Sequence, residues 1–233
     1  MLKRILQAIY PATCILCGFP GAKDRDLCDA CAADIMVNIS ACQLCAIPLP
    51  EHADQQLCGQ CLQNKPVYDS AWSPFIYSQP LEWIIQQIKF NSRLSYTRVL
   101  SDLMMSRLPV IEDKPDCIIA VPLHSKRLRQ RGFNQSLEII RPLAKHLNIT
   151  VDNKSCMRKK YTLPHSGMDA KQRRKNIKNV FEFNNVKGYR HIILFDDVVT
   201  TGSTVNELSR LIKRQGVKKI DVWSLSRADK HYR

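Results

Sequence analysis

The sequence predicts an α/β protein, a parallel sheet with helices on both faces, preceded by a small metal-binding module. Three observations carry that reading. Four CxxC pairs are complete by Cys61 in a chain of 233 residues. Beyond them, short apolar runs alternate with stretches of helical periodicity, as strand–helix–strand units do. The last of these units, Ile192 to Leu225, places strand, helix, Gly216 and strand in order, with the glycine as helix C-cap.

Composition narrows the class. At 45% hydrophobic and 24% charged residues, the chain matches a globular protein rather than a disordered one. Its length leaves room for one α/β domain and a satellite module. No apolar run approaches the roughly 20 residues that a membrane span needs. The stretch Met1 to Ala12 carries Lys3 and Arg4, but Gln7 and Pro11 interrupt it and no small-residue cleavage site follows, so no signal peptide is expected. A cytoplasmic protein without a transmembrane segment is the expectation.

The first element is the cysteine array: Cys14/Cys17, Cys28/Cys31, Cys42/Cys45 and Cys58/Cys61. In a reducing compartment disulfides are disfavoured, and regular CxxC spacing points to metal. A CxxC turn aims two sulfurs at one point, and two turns supply the tetrahedral ligands of a structural Zn²⁺. Eight ligands therefore predict two ions. Sequential pairing of the turns and a cross-braced pairing, first with third and second with fourth, both satisfy the spacing. Either way the sites are closed, which argues against catalysis at zinc, and leaves His52 as a loop residue. So short a segment buries little apolar surface, so metal supplies much of its folding free energy.

Composition changes at Asn64-Lys65-Pro66, which divides the chain into a module of residues 1–65 and a domain of residues 66–233. The first part holds five Lys/Arg against six Asp/Glu, a net of −1; the second holds thirty against fifteen, a net of +15. With eight thiolates and two Zn²⁺ the module falls to −5. The basic excess points to a polyanion or phosphorylated ligand for the second part, against the plainer reading of a solvated surface.

Within 66–233, Ser70 to Tyr77 reads as an aromatic-rich strand, and Pro80 opens a helix from Leu81 to Phe90. A helix from Tyr96 to Leu108 follows. Cys117 to Val121 is a continuous apolar run of the buried parallel-strand kind. Leu137 to Leu147 reads as a helix despite Pro142. Ile192 to Phe195 is a strand, Ser203 to Gln215 a helix, and Ile220 to Leu225 the final strand. Cys117 is a small core residue on this reading, and no base is evident to activate Cys156 as a nucleophile.

The junction in the last unit carries the chemistry. From Ile192 the sequence runs IILFDDVVTTGST: a buried strand ending in Asp196 and Asp197, a turn of small residues, then a helix. Ligands bind beyond the carboxyl ends of strands in such sheets. The backbone N–H groups of Thr201, Gly202, Ser203 and Thr204, with the helix dipole, form a phosphate cradle. Hydroxyls of Thr200, Thr201, Ser203 and Thr204 add donors, and the two carboxylates face a ribose or Mg²⁺.

Those residues resemble the phosphoribosyl pyrophosphate (PRPP) signature of type I phosphoribosyltransferases. Together with the CxxC array, nearly the whole chain resembles the ComF family, in which a double zinc ribbon precedes a phosphoribosyltransferase-like domain. Further family-like stretches are Ile88-Lys-Phe90, Val121-Pro-Leu-His124, Arg127-Leu-Arg-Gln-Arg-Gly-Phe-Asn-Gln135, and the cluster from Arg173-Arg174 to Asn176. One departure is His165, after Thr162-Leu-Pro164, where the family usually has Gln. The resemblance implies a type I phosphoribosyltransferase-like sheet and a cytosolic protein of DNA uptake and natural transformation that binds nucleic acid or phosphoribosyl ligands. The alternative it implies is an active phosphoribosyltransferase that uses PRPP and Mg²⁺ to glycosylate a nitrogen base.

The basic stretches fit this architecture. The resemblance makes Arg127 and Arg131 the candidates for pyrophosphate or nucleic-acid phosphates, and Arg173 and Arg174 lie in a second positive run. Phe133 and Tyr161 stand beside these runs and are candidates for stacking on bases, with hydrophobic packing as the competing role. Single-stranded DNA, PRPP with Mg²⁺, and proteins of the uptake machinery are the candidate partners.

Overall fold

The computed structural model describes residues 11–22, 25–50, 56–162, 177 and 179–229. In the N-terminal part, helix α1 (Asp29–Ala33) starts directly after Cys28 and helix α2 (Gly59–Gln63) directly after Cys58. Strands β1 (Ser70–Trp72) and β2 (Phe75–Ile76) occupy the stretch expected to be one strand. The break falls at Ser73-Pro74, where proline has no N–H to give a ladder. The Ser73 hydroxyl meets that of Ser224 instead.

Helix α3 (Leu81–Asn91) buries Leu81, Ile84, Ile85 and Ile88, a stripe at helical spacing, and stops at Ser92 in the left-handed region. Helix α4 (Tyr96–Met105) buries Val99, Leu100, Leu103 and Met104, and ends three residues short of the expected Leu108. Strand β3 (Cys117–Ala120) is buried throughout. The basic stretch after it, assigned no element from sequence, is helix α5 (Ser125–Arg131): His124 caps it by accepting the Lys126 N–H on Nδ1 at 3.2 Å, and Gly132 closes it at φ +84°. Helix α6 (Gln135–His146) begins two residues earlier than expected, because Asn134 Oδ1 caps it through the Ser136 N–H at 3.1 Å. It runs through Pro142, and its buried face (Ile139, Ile140, Leu143, Ala144) offsets the missing backbone bond. Strands β4 (Cys156–Arg158) and β5 (Phe181–Phe183) form a separate antiparallel pair.

Strand β6 (His191–Val199) is longer than Ile192–Phe195: it passes through both acids instead of ending at them. Helix α7 (Ser203–Arg214) and strand β7 (Lys219–Arg227) complete the unit. The sheet order is β1-β7-β6-β3, with β2 also on β7, and every pairing in it is parallel.

Alternation along the strands builds a core on each face. Ile118, Ile193, Phe195, Trp223 and Leu225 face α3, α4 and α6. Ile119, Ile192, Leu194, Ile220 and Val222 face Val205, Leu208 and Ile212 of α7 and the pair β4–β5. The parallel sheet flanked by helices, preceded by the cysteine module, is the architecture the sequence predicts. Cys117 and Cys156 are both buried, and burial pushes each thiol up to about 12. No described helix is long and apolar enough to cross a membrane.

The change of composition at 65/66 does not interrupt the packing. Cys14, Leu27 and Ile35 belong to the same buried cluster as Ile84, Leu100 and Phe195. The Ala71 N–H donates to the Gln43 carbonyl at 3.0 Å, and the Ile76 N–H to that of Met36 at 3.0 Å. Leu27 is 0% exposed within this shared core. Leu27→Ala should therefore destabilise the whole chain by about 3 kcal/mol. Urea unfolding followed by a ribbon probe and a sheet probe should show one shifted transition; an early ribbon transition with an unmoved sheet would contradict the shared core.

Candidate functional site

The four CxxC turns gather into two sets, Cys14, Cys17, Cys28 and Cys31, and Cys42, Cys45, Cys58 and Cys61, each with its sulfurs within 4.8 Å of one another. The pairing is thus sequential, which the spacing had left open. Four sulfurs about 2.3 Å from a tetrahedral zinc stand about 3.8 Å apart. The Cys17 and Cys28 sulfurs are 3.7 Å apart, as are those of Cys45 and Cys58, so both sets fit the ion. Burial works against the Cys14 thiolate, but backbone N–H groups of Cys28, Cys17 and Leu16 hold its pKa down to about 6. Cys42 is held at about 7 in the same way, against its burial, by Cys58, Cys45 and Leu44. Cys31 and Cys61 are pushed up, Cys31 chiefly by its neighbour Cys28, Cys61 first by burial and then by Cys45. A bound cation would favour the thiolate form of all four cysteines in each set. Metal analysis of the purified chain should find about two Zn²⁺ per molecule; chelation should unfold the ribbons, and a metal-free, chelator-resistant protein would refute the assignment.

The second centre of interest lies at the carboxyl ends of β6 and β7. Val199 ends β6, Thr200 to Gly202 turn the chain, and α7 begins at Ser203. Gly202 sits at φ +70°, where a side chain is strained; a Cβ there would meet only the Tyr68 hydroxyl at 3.6 Å, so the demand for glycine is conformational. The Thr201 and Ser203 hydroxyls are 2.8 Å apart, and the Ser203 N–H reaches Thr201 Oγ1 at 3.4 Å. The first helical bond runs from the Asn206 N–H to the Gly202 carbonyl, which leaves the Thr204 and Val205 N–H groups without a helical acceptor. Asp196 and the run from Val198 to Val205 line a small recess over this turn.

The two acids are not equivalent. Asp197 is 4% exposed, and its Oδ2 lies 2.5 Å from the Lys89 ammonium of α3. Asp196 is half-buried; it accepts from the Ser136 hydroxyl at 3.3 Å and from the Asp197 N–H at 3.0 Å. Burial pushes the Asp196 carboxyl up, and the Asp197 charge adds to that; burial also opposes the Asp197 charge, but Lys89 outweighs it and holds this carboxyl below its usual range. The negative charge of the pair therefore rests on Asp197.

Cations gather near the acids, where the Asp197 charge acts on Arg131 and the Asp196 charge on Arg158. Arg127 donates from Nη2 to the Thr162 carbonyl at 2.8 Å, Arg131 donates to Gln135 Oε1, and Arg158 donates to the Thr162 hydroxyl. Burial and the Arg127 charge lower both Arg131 and Arg158, the latter to about 10. Three guanidiniums held near one another in this way favour an anion. Tyr161 is 42% exposed, with Lys126 Nζ 5.0 Å and Arg127 Cζ 5.6 Å from its ring centre, so its ring already engages cations. Phe133 is half-buried and packs against the main core. Arg173, Arg174, His165 and His52 lie outside the described residues.

Four residues in this region had no role assigned from sequence. Lys89 stood inside a family-like stretch, but nothing in its neighbours names Asp197 as partner. Ser136 and Tyr68 carried no signal. Arg227 carried a faint one, as a charged residue closing an apolar strand. A cleft of about 660 Å³ runs beside the turn, between the second ribbon and α7; Lys65, Tyr68, Gly202, Asn206, Arg210 and Arg227 are among its walls.

Lys89→Met leaves Asp197 buried without its cation and should cost about 3 kcal/mol at neutral pH. In the parent, the depressed pKa of Asp197 contributes stability that is present at neutral pH and lost as pH falls through the acid range. In the variant that pKa rises, so the stability difference should be greatest near neutrality and shrink at acid pH, where Asp197 is protonated in both proteins. A difference that does not depend on pH, in urea titrations across this range, would show that the pair is not the source.

Residues 5–62 match the family model of the double zinc ribbon domain. A DNA utilization protein, YhgH, of Salmonella typhimurium is 34% identical over 223 residues, covering 93% of this chain and 97% of that one. Competence protein F of Haemophilus influenzae is 37% identical over 212 residues, covering 87% and 90%. Competence protein ComFC of Bacillus subtilis is 25% identical over 207 residues, covering 83% and 80%. Among solved structures, adenine phosphoribosyltransferase of Thermoanaerobacter pseudethanolicus is 15% identical with a TM-score of 0.34, over 59% of this chain and 83% of that one, a likeness too slight to argue from.

Proposed function

We propose a role that proceeds from one fact: the chain belongs to the ComF family, that of its competence and DNA-utilisation relatives. The chain is a cytoplasmic protein of DNA uptake that binds a phosphoribosyl ligand, PRPP with Mg²⁺, at the turn after β6 and handles single-stranded DNA through the basic surface around it. The observation that carries this reading is the turn itself: unsatisfied helix N–H groups, a left-handed glycine and paired hydroxyls, directly beyond an acidic pair. The ligand's 5′-phosphate would sit on Thr201, Gly202, Ser203 and Thr204, with Thr200 beside them. Asp196 and Asp197 would face the ribose hydroxyls, and a Mg²⁺ there would draw the proton from Asp196. Arg127, Arg131 and Arg158 would take the pyrophosphate or, in its place, a strand's phosphates. Arg173 and Arg174 would extend the basic surface, Tyr161 and Phe133 would offer ring faces, and uptake proteins would be the protein partners.

A second reading, favoured by the ionised Asp197 beside the phosphate turn, is a working phosphoribosyltransferase. The C1–O bond of PRPP would break, pyrophosphate would leave, and a ring nitrogen of a base would bond to C1. Asp197 would stabilise the positive charge that develops on the ribose.

Calorimetry on the zinc-loaded chain tests both readings. PRPP with Mg²⁺ should bind, and Gly202→Val or Asp196→Asn with Asp197→Asn should weaken it at least tenfold without unfolding. Single-stranded DNA should bind with a log–log salt slope of about −0.7 per phosphate neutralised, and Arg127→Glu with Arg131→Glu should flatten that slope. Pyrophosphate release on adding a base would establish the enzyme. A folded chain that binds no PRPP overturns the ligand reading, and one that binds no single strand at low salt overturns the DNA-handling reading.

A further inference from the structure

We propose that Arg227 is a positioning residue that ties the phosphate turn to the occupancy of the second Cys₄ set. This rests on the turn being the phosphate site. Arg227 is the last residue of β7 and lies in register with Val199, the last residue of β6. From there its side chain spans two modules. Nε donates to the carbonyl of Cys45, a member of the second sulfur set, at 2.8 Å. Nη1 donates to the carbonyls of Val199 at 3.0 Å and Ala228 at 2.7 Å, and also to that of Thr200. Those of Val199 and Thr200 set the direction in which the chain leaves β6 for Gly202.

The charge of Arg227 needs an explanation, because the residue is 5% exposed. Among the described residues no carboxylate forms an ion pair with it. A buried cation calls for an anion. A zinc ion with four thiolates carries a formal −2, and the second set would place that charge one backbone carbonyl away. Metal in the second set therefore does two things for Arg227: it balances the guanidinium, and it fixes the Cys45 carbonyl that holds Nε. The planar fork transmits this to the turn, which a lysine cannot do, having one nitrogen in place of three. Among the described residues the first set has no such contact, so the two zinc sites are unequal: the second acts on ligand binding, the first only on packing.

The test uses the full, zinc-loaded chain and Arg227→Lys, which keeps the charge and removes the fork. Three readings are taken: hydrogen exchange of the peptide containing Val199 to Thr204, alkylation rates of Cys42 to Cys61 and of Cys14 to Cys31 under mild chelation, and PRPP affinity. In Arg227→Lys the turn should exchange about tenfold faster. Alkylation should accelerate at the second set but not the first, and PRPP should bind about tenfold more weakly. Coupling is reciprocal, so saturating PRPP with Mg²⁺ should slow alkylation of the second set in the parent and have no such effect in the variant. Unchanged exchange at the turn, or equal acceleration at both sets, in a folded variant overturns the proposal. If the parent binds no PRPP, the ligand reading falls, while exchange and alkylation still decide the link. If Arg227→Lys does not fold, the parent suffices: loss of metal from the second set must raise exchange at the turn in step, and a turn that stays protected overturns the proposal.

Discussion

The parallel pairing of β6 with β7 fixes nearly everything else in the molecule. Eight residues on each strand are paired in register, from His191 opposite Lys219 to Val199 opposite Arg227. Their alternation supplies both cores, because Ile193 and Phe195 face one layer of helices while Ile192 and Leu194 face the other. Their common carboxyl edge sets the turn, the acidic pair and Arg227 side by side. A slip of one residue would exchange the two faces and bury the wrong side chains, so the hydrophobic pattern locks the site as firmly as it locks the fold.

Charge is managed at this edge by pairing across long stretches of sequence. Lys89 meets Asp197, and Arg227 meets carbonyls from both the ribbon and the turn. The guanidiniums of Arg127, Arg131 and Arg158, by contrast, find mainly carbonyl, amide and hydroxyl oxygens. The Lys89–Asp197 pair is thus electrostatically complete, while the guanidiniums of this edge retain an excess of positive charge. The ribbons lie outside this scheme as anion-binding surfaces, since thiolates make them acidic even after metal binds.

What could be read from the sequence follows from what local pattern encodes. The four cysteine pairs announce themselves through spacing, and Ile192 to Phe195 through an unbroken apolar run, so the ribbon and the last strand–helix–strand unit were legible. Polar Asp196 and Asp197 broke that run and hid the continuation of β6 to Val199, although Asp196 and Val198 are in register with Ser224 and Ser226. Helix α5 is not legible because its basic residues leave no apolar stripe to betray a period; none of them is buried. The contacts that organise the site were beyond reach for a different reason. Arg227 and Cys45 are 182 positions apart, and no periodicity says which distant side chains will share an edge.

The strand order has a bearing on biosynthesis. β7 lies between β1 and β6, and it also holds β2. As the chain leaves the ribosome, β1, β2, β3 and β6 emerge first, yet among the described strands β1 and β2 pair only with β7, which follows them out. The ribbon residues Leu27 and Ile35, whose core includes Trp223 and Leu225, wait with them. Pairings of this sequence separation form slowly. The cysteine sets, whose ligands all lie within the first 61 of 233 residues, are complete long before β7 is made.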